Sequence, residues 1–156
     1  MKISELLEEK FIITDFKSDT KEAIINELID LCEGDERIVN IEEVRKCVLD
    51  REKVMSTGVG KGFAIPHGKT NYITEIIAAF GKSSRPIDYE ALDGEPVHLV
   101  FLLVGREKLI ANHIKLLSRI SRLMNSDGFR KKLMNAKTTA EILNVFKEEE
   151  NNYSEV

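Results

Sequence analysis

The chain has 156 residues, 42% of them hydrophobic and 32% charged, with a formal charge of −4. That length suits one domain, and at this size about 68–70% of the unfolded surface is buried, enough for a core without metals or disulfides. Mild acidity with no Lys/Arg block excludes a nucleic-acid binder that works through phosphate contacts, and the hydrophobic content excludes a disordered chain.

A helical turn at residues 4–8 leads into a predicted strand over 11–16. Ser18 or Asp19 is the expected cap of a helix running to about Cys32, with Ile24, Leu28 and Leu31 on one face and Gly34 ending it. Asn40, with Glu43 three residues later, has the form of a capping box and starts a second helix. Its apolar stripe is Ile41, Val44 and Val48, and Arg51 lies near its end. Residues 56–67 are glycine-rich at first and apolar at 63–65, which predicts a loop leading into a short strand. Strand-like runs follow at 76–80 and 97–104, separated by a turn-rich stretch with Pro86, Asp93, Gly94 and Pro96. The second run is apolar almost throughout, as in a central strand covered on both faces. Helices are predicted over 112–125, 127–136 and 138–149, the last opened by Thr138 with Glu141 as a capping box. A domain over 1–147 and a polar, frayed tail over 148–156 complete the chain. Strands and helices in this order predict a sheet covered by helices, an α/β or α+β layered domain.

Cys32 and Cys47 sit in helical patterns with apolar neighbours and read as buried free thiols; no His or Cys has zinc-ligand spacing. The charged N-terminus lacks a signal-peptide pattern, and no apolar run approaches the roughly 20 residues that span a bilayer. A soluble, cytoplasmic protein is the expectation. Two nucleotide-binding motifs are nearly present and fail. Gly68, Lys69 and Thr70 resemble the end of a Walker A loop, but position 63, where its first glycine belongs, is Phe. Gly58, Gly60 and Gly62 form G-x-G-x-G after a helix and before a strand, the reverse of the dinucleotide fingerprint.

The candidate chemistry lies between Arg51 and Thr70. His67 stands between Pro66, which fixes φ, and Gly68, which permits close backbone approach. Its neutral ring is a capable nucleophile near pH 7. His113, at the expected start of the 112–125 helix, shares a face with Leu116, Leu117, Ile120 and Met124. A helix N-terminus favours anions and a neutral ring, which suits a donor to a transient phosphoryl group. Arg51 could grip phosphoryl oxygens in a bidentate manner. Each residue also has an ordinary reading: His67 as a loop or core residue, His113 as a helix-start residue touching the core, and Arg51 as an exposed helix-end arginine. His98, within an apolar strand, reads as a packing or edge residue. Spacing alone leaves the function open.

The run R-E-K from residue 51 and S-T-G-V-G-K-G-F-A-I-P-H-G over 56–68 strongly resembles the signature of the fructose/mannitol-type IIA domains of the bacterial phosphoenolpyruvate-dependent sugar phosphotransferase system. The opening K-I-S-E-L-L, L-D-G-E-P-V-H-L-V-F over 92–101 and N-H-I-K-L-L-S-R over 112–119 extend the likeness over nearly the whole chain. The resemblance implies a mixed β-sheet with helices packed on both faces, a three-layer single domain. It implies that His67 receives a phosphoryl group from phospho-HPr and passes it to a cysteine of a IIB component, which phosphorylates sugar entering through a membrane IIC component. By the same match His113 and Arg51 steady the phosphoryl group, and neither transfer needs a metal, nucleotide or other cofactor. The match leans toward the fructose branch. A nitrogen-type regulatory IIA protein, acting through phosphorylation-dependent contacts, is the alternative on the same fold, and an interaction domain that has lost transfer is another. Phe63 replaces a smaller aliphatic residue, and residues 105–111 replace a more polar loop that could touch partners.

Overall fold

The computed structural model describes residues 2–153. Its centre is β6, Val97–Arg106, whose side chains alternate between two apolar cores: Leu99, Phe101 and Leu103 enter one, Val100, Leu102 and Val104 the other. A strand apolar on both faces can be satisfied only between two helical layers, and that demand organises the domain. β5, Ile77–Ile87, pairs antiparallel with β6 on one side. On the other side β6 carries β3, Phe63–Ala64, and β4, His67–Thr70, both parallel. β1, Ile12–Ile13, and β2, Gly58–Gly60, complete a six-stranded mixed sheet in the order β1-β5-β6-β3-β2, with β4 beside β6.

The first core is closed by α1, Ile3–Leu6, α4, Ile110–Met124, α5, Asp127–Asn135, and α6, Thr139–Asn151. Phe146 of α6 lies edge-on to Phe80, Phe101 and Phe129, at 5.3, 5.8 and 5.1 Å between ring centroids. The second core is closed by α2, Lys21–Leu31, through Ile24, Ile25, Leu28 and Ile29, and by α3, Ile41–Val54, through Val44 and Val48. The expected mixed sheet with helices on both faces is the architecture found.

Several local expectations differ from the structure. Thr20, not Ser18 or Asp19, caps α2, its hydroxyl accepting from the Ala23 N–H. The Lys17 and Ser18 N–H groups are drawn instead to the Glu27 carboxylate, which delays the helix start. The strand predicted over 11–16 shrinks to two residues after a 3₁₀ turn, Glu9–Phe11, because Asp15 turns aside to accept from the Ser84 N–H. β5 continues to Ile87, through the first part of the stretch expected as a turn, while the part around Asp93 and Gly94 does turn, the Gly94 N–H donating to the Ala91 carbonyl at 2.9 Å. Pro86, which has no N–H, falls at the register shift between Lys82 and Ile87 and so breaks no ladder bond. The segment expected as a frayed tail from 148 is helical to Asn151, and residues 154–156 of it lie outside the described residues. Glu150 within it is buried, accepting from the Ile3 and Ser4 N–H groups at 2.6 and 2.7 Å. A carboxylate at the first turn of α1 satisfies orphan donors, which keeps this part of α6 docked.

Candidate functional site

His67 opens β4 instead of ending a strand. Residues 63–70 run beside β6 with one register throughout, Phe63 opposite Leu99 and His67 opposite Leu103, interrupted at Ile65 and Pro66. Proline cannot donate to a ladder, so the break falls where Pro66 stands. By strand alternation His67 shares the face of Phe63 and Ile65, the face that α4 covers.

β6 bonds to the Gly62 and Pro66 carbonyls, so the Ile65 carbonyl faces away from β6 and lies 2.8 Å from His67 Nδ1. A carbonyl only accepts, so Nδ1 carries the proton and Nε2 is left with its lone pair. The ring is half-buried, and burial pushes its pKa below the ordinary histidine value; the Arg51 and Lys69 charges act in the same direction, while the Ile65 carbonyl and Glu52 oppose them. His67 is therefore a neutral, oriented imidazole at pH 7.

His113 lies one turn inside α4 rather than at its opening, because the helix begins at Ile110 and the His113 N–H already donates to the Leu109 carbonyl. The residue is 4% exposed, and its ring stands 5.6 Å from the His67 ring, tilted by 51°. Burial, the nearby His67 and Lys69 together push its pKa down to about 4. Neither ring nitrogen has a hydrogen-bond partner among the described residues. A buried polar ring left so costs on the order of 1–3 kcal/mol, a standing penalty that a ligand oxygen would remove.

Two glycines make this arrangement possible. A Cβ on Gly68 would fall 2.7 Å from Cys47 Sγ on α3, and one on Gly105 would fall 2.6 Å from His113 Nδ1. The first lets β4 lie against α3; the second lets the His113 ring bring its Nδ1 edge close to the β6 backbone. Gly68 is legible in the sequence as a close-approach residue, whereas Gly105 lies in a segment that reads as a variable loop.

Arg51 sits in the last turn of α3, and one of its nitrogens donates to the Met55 carbonyl at 2.8 Å. The structure brings its charge close enough to act on His67, while its hydrogen bond closes the helix end. His98 is partly buried and bonds through Nδ1 to the Ser83 carbonyl at 2.9 Å, away from the histidine pair and in keeping with a packing role. Cys32 and Cys47 are unpaired thiols, raised by burial to about 12 and about 11, and so not reactive thiolates.

Sequence reasoning assigned no role to Glu52, next to Arg51 and 7% exposed. Its carboxylate accepts from the Thr57 N–H and hydroxyl, from Tyr89 Oη at 3.0 Å, and pairs with Lys21 at 2.8 Å. The signal was available: Val44, Val48 and Glu52 recur at i, i+4, i+8 on one face, so the glutamate continues an apolar stripe inward and needs partners there.

A neutral nucleophile with a fixed tautomer beside a buried, unsatisfied ring and a nearby guanidinium can accept and hold a tetrahedral anion. Among the described residues no three His, Cys, Asp or Glu side chains converge as metal ligands, and no helix is long and apolar enough to cross a membrane.

Residues 5–149 match the family model described as phosphoenolpyruvate-dependent sugar phosphotransferase system, EIIA 2. The PTS system fructose-specific EIIABC component of Bacillus subtilis is 37% identical over 93% of this chain, which spans only 23% of that relative's length. A nitrogen regulatory protein of Bradyrhizobium diazoefficiens is 38% identical over 93% of this chain and 94% of its own. Among solved structures, nitrogen regulatory protein IIA-Ntr from Neisseria meningitidis superposes with a TM-score of 0.86 at 30% identity, over 92% of this chain and 98% of that one. A complex of enzyme IIAMtl with phosphorylated enzyme IIBMtl from Escherichia coli shares the fold, with a TM-score of 0.77 at 18% identity over 92% of this chain and 99% of that one.

Proposed function

The chain belongs to the EIIA 2 family of the phosphoenolpyruvate-dependent sugar phosphotransferase system, and from that membership we propose that it is a phosphocarrier whose acceptor is His67 Nε2. Phospho-HPr is the proposed donor and a IIB cysteine the proposed recipient, with membrane IIC engaged only through IIB. The observation that carries this reading is the Nδ1–H bond from His67 to the Ile65 carbonyl, which leaves Nε2 as the nucleophile. In the transfer the Nε2 lone pair attacks phosphorus, the bond to the donor's histidine breaks and its electrons stay with the donor. The second transfer reverses the roles, with the recipient's thiolate attacking and Nε2 leaving. Loss of phosphoryl from a ring whose Nδ1 proton is retained regenerates the neutral imidazole directly. In this reading His113 donates to a phosphoryl oxygen, which would satisfy its own buried ring, and Arg51 supplies positive charge. Positioning and charge stabilisation of this kind suit phosphoryl transfer without further covalent chemistry.

The IIAMtl complex with phosphorylated IIBMtl supports the choice of recipient. The fructose-specific relative supports feeding a sugar transporter, fructose being the proposed sugar. A nitrogen-regulatory role is the second reading, supported by the Bradyrhizobium relative and the Neisseria structure. Intact mass after incubation with phosphoenolpyruvate, enzyme I and HPr tests the carrier itself. One added phosphoryl, lost in acid and stable in base, is expected in wild type and absent in His67→Ala. Equal labelling of His67→Ala would overturn the site. Labelled wild type offered to a fructose-type IIB then separates the readings, since transfer to it is expected only of a transport component.

A further inference from the structure

Ile65 occupies the break between β3 and β4, where the ladder to β6 is interrupted. Its carbonyl sets the tautomer of His67; β6 holds the next residue, through the Leu103 N–H to the Pro66 carbonyl at 3.1 Å, while Ile65 itself is held from the opposite side. Its own N–H donates to the Thr57 carbonyl at 3.1 Å. Thr57 in turn is 4% exposed and is tied by its N–H, at 2.8 Å, and by its hydroxyl to the Glu52 carboxylate.

We propose that Glu52 is a positioning residue for His67: its buried carboxylate anchors a hydrogen-bonded chain through Thr57 and Ile65 that fixes the tautomer and direction of the nucleophile. This role rests on His67 being the acceptor. The anchor is an acceptor at both oxygens. Oε1 faces the Thr57 hydroxyl and Tyr89 Oη, and Oε2 faces the Thr57 N–H and Lys21 Nζ, so every partner can donate and both oxygens must accept. An amide could keep these contacts by turning its NH2 toward the two hydroxyls, whereas an apolar side chain of similar volume would leave the Thr57 N–H and Lys21 without an acceptor. Lys21 comes from α2, Glu52 from α3 and Tyr89 from the segment after β5, so the anchor is tied to rigid elements on three sides. Pro66, between Ile65 and His67, has a fixed φ, and so a displaced Ile65 moves the imidazole with it. The negative charge also acts on His67 directly, opposing the burial that depresses its pKa.

Glu52→Leu tests the chain, read by two-bond ¹⁵N–¹H spectra of the histidine rings and by phosphoryl uptake from phospho-HPr. Wild type is expected to show His67 as the Nδ1–H tautomer. In folded Glu52→Leu the Nε2–H tautomer should gain population, and kcat for uptake should fall at least about tenfold, as misplacement of a reacting group does, with KM for phospho-HPr unchanged. A purely structural role would lower the melting temperature and leave the tautomer of the folded molecules alone. Folded Glu52→Leu with the wild-type His67 spectrum therefore overturns the proposal. Should that variant not fold, Thr57→Val removes only the hydroxyl and is read the same way, with Thr57→Ser expected to restore both readouts. A wild-type tautomer in Thr57→Val then overturns the proposal. If wild type takes no phosphoryl group, the functional reading fails, while the tautomer comparison still decides the role of Glu52.

Discussion

Replacing Gly68 by alanine puts one methyl group between β4 and α3, and its consequences can be worked from the distances. The new Cβ would meet Cys47 Sγ at 2.7 Å and the Cys47 backbone carbon and oxygen at 3.2 and 3.3 Å. The sulfur can turn only about χ1, restricted on a helix, and the helix backbone cannot yield, so β4 must move off α3. Overpacking of this kind costs about 1–3 kcal/mol, whereas alanine's smaller loss of chain entropy in a strand returns about 0.5–1 kcal/mol. A net loss of about 0.5–2 kcal/mol follows, and at about 2–4 °C per kcal/mol the melting temperature should fall by about 1–8 °C. Phosphoryl uptake should fall as well, since His67 moves with the strand. Urea unfolding of wild type, Gly68→Ala, Cys47→Ala and the double variant closes the cycle. The Sγ contact predicts that the double variant is about 1 kcal/mol more stable than the two single effects imply. Additivity within about 0.3–0.5 kcal/mol, or an undiminished Gly68→Ala, would refute the packing argument.

The remaining predictions concern protonation and a helix end. His113 has an unfolded value near 6.5 and a folded value of about 4, so between these limits the unfolded chain binds more protons and stability falls as pH falls. Between pH 7 and pH 5 that contribution amounts to about 2 kcal/mol, and His113→Gln should remove it from the pH dependence measured by urea unfolding; an unchanged slope would contradict a neutral, buried His113. His67 is likewise depressed, so phosphoryl uptake should persist below pH 6.5, with a midpoint shift visible in the rate profile. Lys82 on β5 is buried and donates to the Leu133, Met134 and Ala136 carbonyls at the end of α5. Lys82→Met strands that helix end and should cost about 2–3 kcal/mol, with hydrogen exchange accelerated first in α5; unaltered exchange there would count against the cap.

Local signals were legible wherever one residue decides an outcome with its near neighbours. Asn40 caps α3, accepting from the Glu42 and Glu43 N–H groups, and Thr138 caps α6 through the Glu141 N–H, because a side-chain oxygen and an orphan donor three residues on meet without help from the rest of the chain. The double-faced apolar run at 97–104 announced the central strand for the same reason, since period-2 alternation with no polar face leaves few other fates. The motif around Pro66, His67 and Gly68 carried the family, and with it the expected mixed sheet. By contrast, the strand path through Pro86 depended on where β6 lay, and the two-residue length of β1 depended on Asp15 meeting Ser84, 69 residues away. The site divides along the same line. His67 and Gly68 stand out in the chain itself as a nucleophile beside a close-approach residue. The buried state of His113, the tautomer held by Ile65 and the anchoring of Thr57 by Glu52 arise only when α3, α4 and β4 are packed around β6, because desolvation and hydrogen-bond partners are properties of neighbours brought together from distant sequence.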